Sequence, residues 1–393
     1  MPEGPGLSGA RAVVVNWRDL DHALAGGSER YAWEFARALV GSGASVEFLT
    51  ARDEGQGRTE VRDGIRIRRG GGALTFYPWA AWQLLRRRRR LDVVIDPECG
   101  IPTFSPLFVG RRTAVLLVVH HVHMEQFRTY FSPPMSTLGR WLEGWLMPRV
   151  YRRVPTYAVS RSTAAEMRKE LGWRGPIGIL ENGSACATGA SSGPGDPRRI
   201  LVLGRLVPHK RVDAVVRAAA LLTRDVPDLR VEVVGRGPER EAVRALVDDL
   251  GLSDVVTLHG YLSDAEMDAV LGGCGLHVCA SDVEGWGQVV IDAASHGIPT
   301  IGRDVPGLRD SIVDGSTGWL VDAGDDDPLV DLLATQVRVS IEVLSDPDQQ
   351  REYADRCRAW AGRFTWDRMH AEAVQATTAA RLGHRLPVGT TDP

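Results

Sequence analysis

Nine residues, E-G-W-G-Q-V-V-I-D (284–292), place a carboxylate at each end of a glycine turn that follows the apolar run 275–280. A helix starting near Gly287 leaves Glu284 in the loop and carries Asp292 on its second turn, roughly 7 Å along the axis at about 1.5 Å per residue. Carboxylates accept hydrogen bonds from hydroxyls, so the pair can grip the sugar and ribose ends of a long ligand at two separated points. After the strand-like run 200–203 comes G-R-L-V-P-H-K (204–210), where a glycine turn brings Arg205 and Lys210 toward one point. A diphosphate suits such a pair, because a guanidinium offers forked donors and an ammonium a compact charge. Only two of the 47 basic residues are lysines, Lys169 and Lys210, so a lysine at this place is a rare choice for the chain. A solvated loop with chance cations is the plain alternative.

Two stretches of the first half carry further chemistry. In A-G-G-S-E (25–29), paired glycines at a helix start present N–H groups to an anion, or Ser28 simply caps the helix. V-V-H-H-V-H (118–123) ends a strand with three imidazoles, one of which could orient or donate to a reacting sugar. The zinc patterns of a helical H-x-x-x-H or of distributed thiolates do not accompany them, so no metal is expected. Weaker signals are Gly235-Arg236-Gly237, where Arg240 stands in the place of a third fingerprint glycine; Asp325–Asp327, read as capping before Pro328; and Arg86–Arg90 after Trp79 and Trp82, read as a solvated helix end rather than a membrane seat.

These residues need elements to hold them. Strand-like runs at 12–15, 46–49, 93–95 and 114–119 alternate with helix-period segments such as 28–40. The pattern restarts at 200–203, with strands at 230–234 and 255–258 and helices at 213–222, 239–250 and 264–271. Two such sets mean two parallel-sheet α/β domains, joined through the period-free segment 183–198. In such sheets ligands sit beyond the carboxyl ends of the strands, and between two facing domains the cleft is the expected site.

Length and charge agree. At 393 residues two domains are favoured. Through Glu181 there are 26 basic and 18 acidic residues; beyond it, 21 and 32. No nucleic-acid module signature accompanies the basic half. No apolar run is long enough to span a bilayer, and 1–10 lacks the pattern of a secretory signal. Five cysteines at 99, 186, 274, 279 and 357 form neither a disulfide framework nor a C-x-x-C. A cytoplasmic location is expected.

Taken together, G-G-S-E-R-Y-A-W-E-F-A-R-A-L (26–39), E-N-G-S (181–184), G-R-L-V-P-H-K-R-V-D (204–213), V-V-G-R-G-P-E (233–239), 284–301 and F-T-W-D-R-M (364–369) resemble the retaining glycosyltransferases of family 4. The resemblance implies the GT-B fold: two facing Rossmann-like, doubly wound domains with the active site in the interdomain cleft. It divides the chain into an acceptor-binding domain (1–185), a donor-binding domain (186–363) and a terminal helix and tail (364–393) packed back on the first domain. It implies a bacterial, metal-independent transferase without a cofactor, moving a sugar from a nucleoside diphosphate donor, UDP first, to a small-molecule, lipid or saccharide hydroxyl. Arg205 and Lys210 would neutralise the diphosphate, Glu284 would bind donor-sugar hydroxyls, Asp292 the ribose, and Gly27 would approach by its backbone. His120, with His121 in reserve, would lie near the donor sugar, and Gly260, Tyr261 and Leu262 near the base. Gly26, Gly204, Gly235, Gly285, Trp286, Gly287 and Gln288 complete the implied donor site. Two positions depart from the pattern: Asp292 where the family usually has glutamate, and Ser184-Ala185-Cys186 where it often has a hydrophobic residue and aspartate. An epimerase of the same fold and a non-catalytic nucleotide-sugar binder are the competing readings. The arginine-heavy composition fits a high-GC bacterium and natural-product biosynthesis.

Overall fold

The computed structural model describes residues 6–22, 25–72, 75–98, 100–184, 193–324 and 328–383. It forms two compact units, 1–183 with 366–393, and 184–365. The first unit holds strands β1 (Arg11–Val15), β2 (Ser45–Thr50), β3 (Thr59–Arg62), β4 (Ile65–Arg69), β5 (Val93–Glu98), β6 (Ala114–Val119), β7 (Thr156–Ala158) and β8 (Gly178–Ile179). Their order in the sheet is β3-β4-β2-β1-β5-β6-β7-β8. All neighbours are parallel except β3 and β4. That antiparallel hairpin turns on Asp63 and Gly64, both at positive φ (51° and 76°), the backbone an Asp-Gly hairpin turn requires.

The central strands read as continuous apolar runs because both faces are covered. Every residue of β5 is buried, Asp96 and Glu98 included. The helix Gly27–Gly41 turns Tyr31, Phe35 and Leu39 inward, all at 0% exposure. The terminal helix Trp366–Arg381 belongs to this unit. His370 Nε2 reaches Glu34 Oε2 at 3.0 Å, the Arg368 guanidinium meets Glu181 at 3.2 Å, and the Arg30 guanidinium stacks over Trp366.

The second unit holds β9 (Asp196–Leu203), β10 (Arg230–Val234), β11 (Val256–Gly260), β12 (Cys274–Cys279), β13 (Thr300–Arg303) and β14 (Gly318–Val321), in the order β11-β10-β9-β12-β13-β14. All its strand pairs are parallel. The order reverses between β9 and β12, the topological switch point of a doubly wound sheet. Its core gathers Ile200, Val231, Val233, Leu276 and Val278 from the strands with Val216, Leu333 and Val337 from the helices. No helix among the described residues is long and apolar enough to cross a membrane.

Candidate functional site

The carboxyl ends of β9 to β12 carry most of the expected donor residues. Gly204 follows β9 at φ +143° and Gly235 follows β10 at φ +148°. A Cβ on Gly235 would lie 1.8 Å from the Gly204 carbonyl oxygen. The Gly204 N–H donates to Val234 O at 3.0 Å, and the Gly235 N–H to Gly260 O at 2.9 Å. The glycines at these positions therefore stitch three strand ends together at the level where the loops begin.

The loop after β9 winds through the 3₁₀ turn Pro208–Lys210 and is tied to the loop after β12 by the Asp282 N–H, which donates to His209 O at 2.8 Å. That tie sets Lys210 against Glu284, and the two form an ion pair with side chains only 15% and 12% exposed. Ser281 Oγ donates to the same carboxylate oxygen at 2.9 Å. Burial pushes the Glu284 carboxyl up, yet Lys210, Ser281 and His209 outweigh it and hold it below the usual carboxylate range. The His209 imidazole is pushed down to about 4 by burial and by Lys210, with Arg205 adding to the effect and Glu284 opposing it. Arg205 and Lys210 thus act on one ring, so both cations lie within electrostatic reach of one point, with a carboxylate beside them. Such a site can accept an anion on the cations and hydroxyls on Glu284.

Asp292 sits on the helix Gln288–Ser295 as expected, but it is engaged. Ser184 Oγ donates to its Oδ1 at 2.6 Å and Gln288 Nε2 donates to the same atom at 3.0 Å. Gly287 caps this helix at φ +83°, and its open flank is filled by Ser311 Oγ, 2.6 Å from where a Cβ would stand. Gly285 lies against Gly307, whose own Cβ would strike the Glu284 carbonyl at 2.2 Å. The expectation for Trp286 needs correction. Its side chain is 4% exposed and packs edge-to-face on Phe364 at 4.9 Å, so the indole is core and only its backbone can face a ligand. Tyr261 is 70% exposed, with the Arg236 guanidinium 4.6 Å from its ring centroid, while Leu262 packs against the buried cluster that includes Leu201 and Val234.

Sequence reasoning missed Ser281, His209 and Arg236 as parts of this site. Ser281 carries a signal, the S-x-x-E spacing to Glu284, whereas His209 and Arg236 lie inside the motifs 204–213 and 233–239 with nothing in their spacing to mark them.

In the first unit, Gly27 opens its helix, but Gly26 does not present a bare N–H. That group donates to Glu29 Oε2 at 2.7 Å, and Glu29 Oε1 accepts from Arg18 Nε at 2.9 Å. The chain's own carboxylate occupies the place where an external anion was expected at Gly26. His120 is also turned inward: it is 6% exposed, edge-to-face with Tyr31 at 4.9 Å, and pushed down to about 3 by burial. His121 is partly exposed, its Nε2 2.7 Å from Gln126 Oε1. The helix Phe76–Arg87 exposes Trp82 with Arg86 stacked on it. Asp325–Asp327, Cys99 and Ala185-Cys186 lie outside the described residues.

Comparison with known proteins gives one direction. The family model described as Glycosyltransferase Family 4 matches residues 25–186, and that described as Glycosyl transferases group 1 matches residues 189–358. The chain is 33% identical over 197 residues to the GDP-mannose-dependent alpha-(1-6)-phosphatidylinositol monomannoside mannosyltransferase of Mycolicibacterium smegmatis, covering 48% of this chain and 50% of that protein. It is 31% identical over 207 residues to the D-inositol 3-phosphate glycosyltransferase of Thermobispora bispora, covering 50% and 47%. The chain thus spans about half the length of these curated relatives. Among solved structures, sucrose-phosphate synthase from Thermosynechococcus elongatus matches with a TM-score of 0.78 at 18% identity, covering 95% of this chain and 100% of that one. Anabaena HepE in complex with UDP and glucose matches with a TM-score of 0.71 at 16% identity, covering 94% and 100%. At these identities the structures speak for the fold.

Proposed function

Because the chain belongs to the glycosyltransferases of family 4, with the GT-B fold, we propose that it transfers a hexosyl group from a nucleoside diphosphate sugar to a hydroxyl of an inositol phosphate or saccharide acceptor, with retention at the anomeric carbon. Glycosyltransferases of this family act with nucleotide-sugar donors and need no cofactor. The observation that carries the reading is the Lys210–Glu284 pair with Arg205 in reach, at the switch point between β9 and β12. A diphosphate entering there takes up the two cations, and Glu284, still held by Ser281, turns to the sugar hydroxyls. The bond from the anomeric carbon to the phosphate oxygen breaks and charge grows on that oxygen. Fixed cations placed there beforehand stabilise it without reorganising. The acceptor hydroxyl adds to the same face and its proton passes to the departing phosphate oxygen. Asp292, positioned by Ser184 and Gln288, takes the ribose, and the exposed Tyr261 with Arg236 lies where the base would rest.

UDP is the first donor base to test and GDP the second, the latter because the Mycolicibacterium relative is named for GDP-mannose. Both nucleotide sugars are cytoplasmic metabolites, which is where we place the reaction. The purified chain should release nucleoside diphosphate from one of these donors when given a panel of inositol-phosphate, saccharide, lipid and natural-product acceptors. NMR of the product should show the donor's anomeric configuration. Lys210→Ala should abolish release while the far-UV circular dichroism stays unchanged; normal turnover by that variant ends the diphosphate assignment. A new nucleotide sugar formed without acceptor would mark an epimerase instead, and tight donor binding without turnover a binding protein.

A further inference from the structure

A cluster that the transfer chemistry does not use lies in the first unit, at the carboxyl ends of β5 and β6. Glu98 is the last residue of β5, His123 follows β6 by four residues, and Glu143 lies on the π-helical turn Leu142–Leu146. Both glutamates are 0% exposed. His123 Nδ1 lies 3.5 Å from Glu98 Oε1 and 3.5 Å from Glu143 Oε1, and one ligating atom from each residue falls within 4.8 Å of the others.

Each side chain is fixed from behind. The Gly100 N–H donates to Glu98 Oε1 at 2.8 Å, and the His123 N–H to Glu143 Oε1 at 2.6 Å. The π turn widens its helix by one residue at Glu143, a feature that recurs at functional sites. Yet Glu98 Oε2, Glu143 Oε2 and His123 Nδ1 are buried with no hydrogen-bond partner. Among the described residues no lysine or arginine forms an ion pair with either glutamate. Two carboxylates buried together without a positive partner are too costly to leave charged, so either a proton or a cation must offset them.

Two of the three ligand-to-ligand distances point to a cation. An imidazole hydrogen-bonded to a carboxylate would lie about 2.7–3.0 Å from it. Two ligands of a tetrahedral zinc, at about 2.0–2.2 Å from the metal, stand roughly 3.3–3.5 Å apart, and both nitrogen–oxygen distances here are 3.5 Å. We propose that Glu98, His123 and Glu143 form a divalent-cation site of the zinc class, its shell completed by the glutamate Oε2 atoms or by water. The ion would be structural, pinning the end of β5, the loop after β6 and the π turn together. No step of the proposed transfer passes through it, and the inference stands or falls independently of that reading.

The test uses the untagged full chain, stripped with a chelator and dialysed. Titration with zinc sulfate, followed by calorimetry and by elemental analysis after desalting, should give one tightly held equivalent and a rise in Tm of several degrees. The Glu98→Gln/Glu143→Gln variant keeps the shapes and removes both charges; its uptake should fall at least tenfold. Should that variant fail to fold, cobalt added to the stripped wild type should give the intense visible absorption of a tetrahedral nitrogen–oxygen site, lost on adding zinc. Failure of the wild type to hold zinc in stoichiometric amount, equal uptake by a folded variant, or no such cobalt spectrum overturns the proposal. An infrared band of a protonated carboxyl persisting with zinc supplied does the same, since a proton would then be the partner.

Discussion

The hydroxyl of Ser184 donates to the Asp292 carboxylate at 2.6 Å, across 108 residues of sequence. These are the two places where the chain departs from the pattern of its family, and they touch. The aspartate is one methylene shorter than the usual glutamate, and the serine pins it on the side of the crossover segment. Hydrogen bonds to charged groups contribute about 1.5–3 kcal/mol. Ser184→Ala should therefore weaken binding of the nucleoside diphosphate about tenfold by calorimetry, with kcat changed less than twofold. A double-mutant cycle with Asp292→Asn should show the two changes to be non-additive. Additive effects would mean that Ser184 does not position this carboxylate.

Lys210 has a structural side. Removing it leaves Glu284, 12% exposed, without its cation, and breaking one half of such a buried pair costs about 3–5 kcal/mol. Lys210→Ala should thus lower the urea midpoint, and adding Glu284→Gln should restore most of the loss, while turnover stays absent in both. A single variant as stable as the wild type would show the pair to be solvent-screened.

Gly235 and Gly272 make a matched contrast. An alanine at 235 needs φ +148° and a Cβ 1.8 Å from a backbone oxygen, whereas one at 272, in the helix Asp264–Gly273, meets nothing within 4 Å. Gly235→Ala should cost more than about 3 kcal/mol or prevent folding of the second unit. Gly272→Ala should be neutral or stabilising by up to about 1 kcal/mol. Thermal melts of the two variants check both.

Acid should destabilise the chain earlier than carboxylate titration alone predicts. His277, fully buried with Nδ1 3.0 Å from Thr300 Oγ1, is pushed down to about 3 by burial and then Lys210, and His209 to about 4. Each stays neutral in the folded chain while its unfolded counterpart protonates near pH 6.5. The unfolded state therefore binds more protons between pH 6.5 and these lowered values, so stability is full above 6.5 and falls as pH drops through that window. The slope is at most about 1.4 kcal/mol per pH unit for each histidine. His277→Gln should flatten the Tm–pH profile between pH 4 and 6.5; an unchanged profile would exclude this residue as a source.

The strands β1, β2, β5, β6 and β9 to β12 were readable because β-branched runs such as Ala114–Val119 are buried on both faces and carry no competing period, whereas β7, β8, β13 and β14, two to four residues long, are too short to show one and were not read. The hairpin at Asp63-Gly64 was not read, although its turn residues were in plain view. Arg62, Arg68 and Arg69 masked the strands around it, since they answer to Asp21, Glu47, Glu60 and Asp19 rather than to a core. The second-unit site was legible wherever a loop follows a strand, because motif order tracks strand order there. Trp286 entered the expected donor site through the resemblance alone, while Phe364, far along the chain, decides where the indole goes. The glutamates around His123 were beyond reach, because nothing in the spacing of 98, 123 and 143 announces that β5, β6 and a π turn converge.

The helix Trp366–Arg381 closes the first unit although it is encoded after the second. During synthesis the leading segment emerges missing one wall and waits for 184–365 to pass before that wall arrives. Residues such as Glu34, whose carboxylate receives His370, stay uncovered through that interval. The later unit, contiguous in the chain, can finish first. Domains generally complete in the order they leave the ribosome, and here the thread runs against that order. A stalled nascent chain ending near residue 365 should therefore present a protease-resistant carboxyl-terminal half and a labile amino-terminal one.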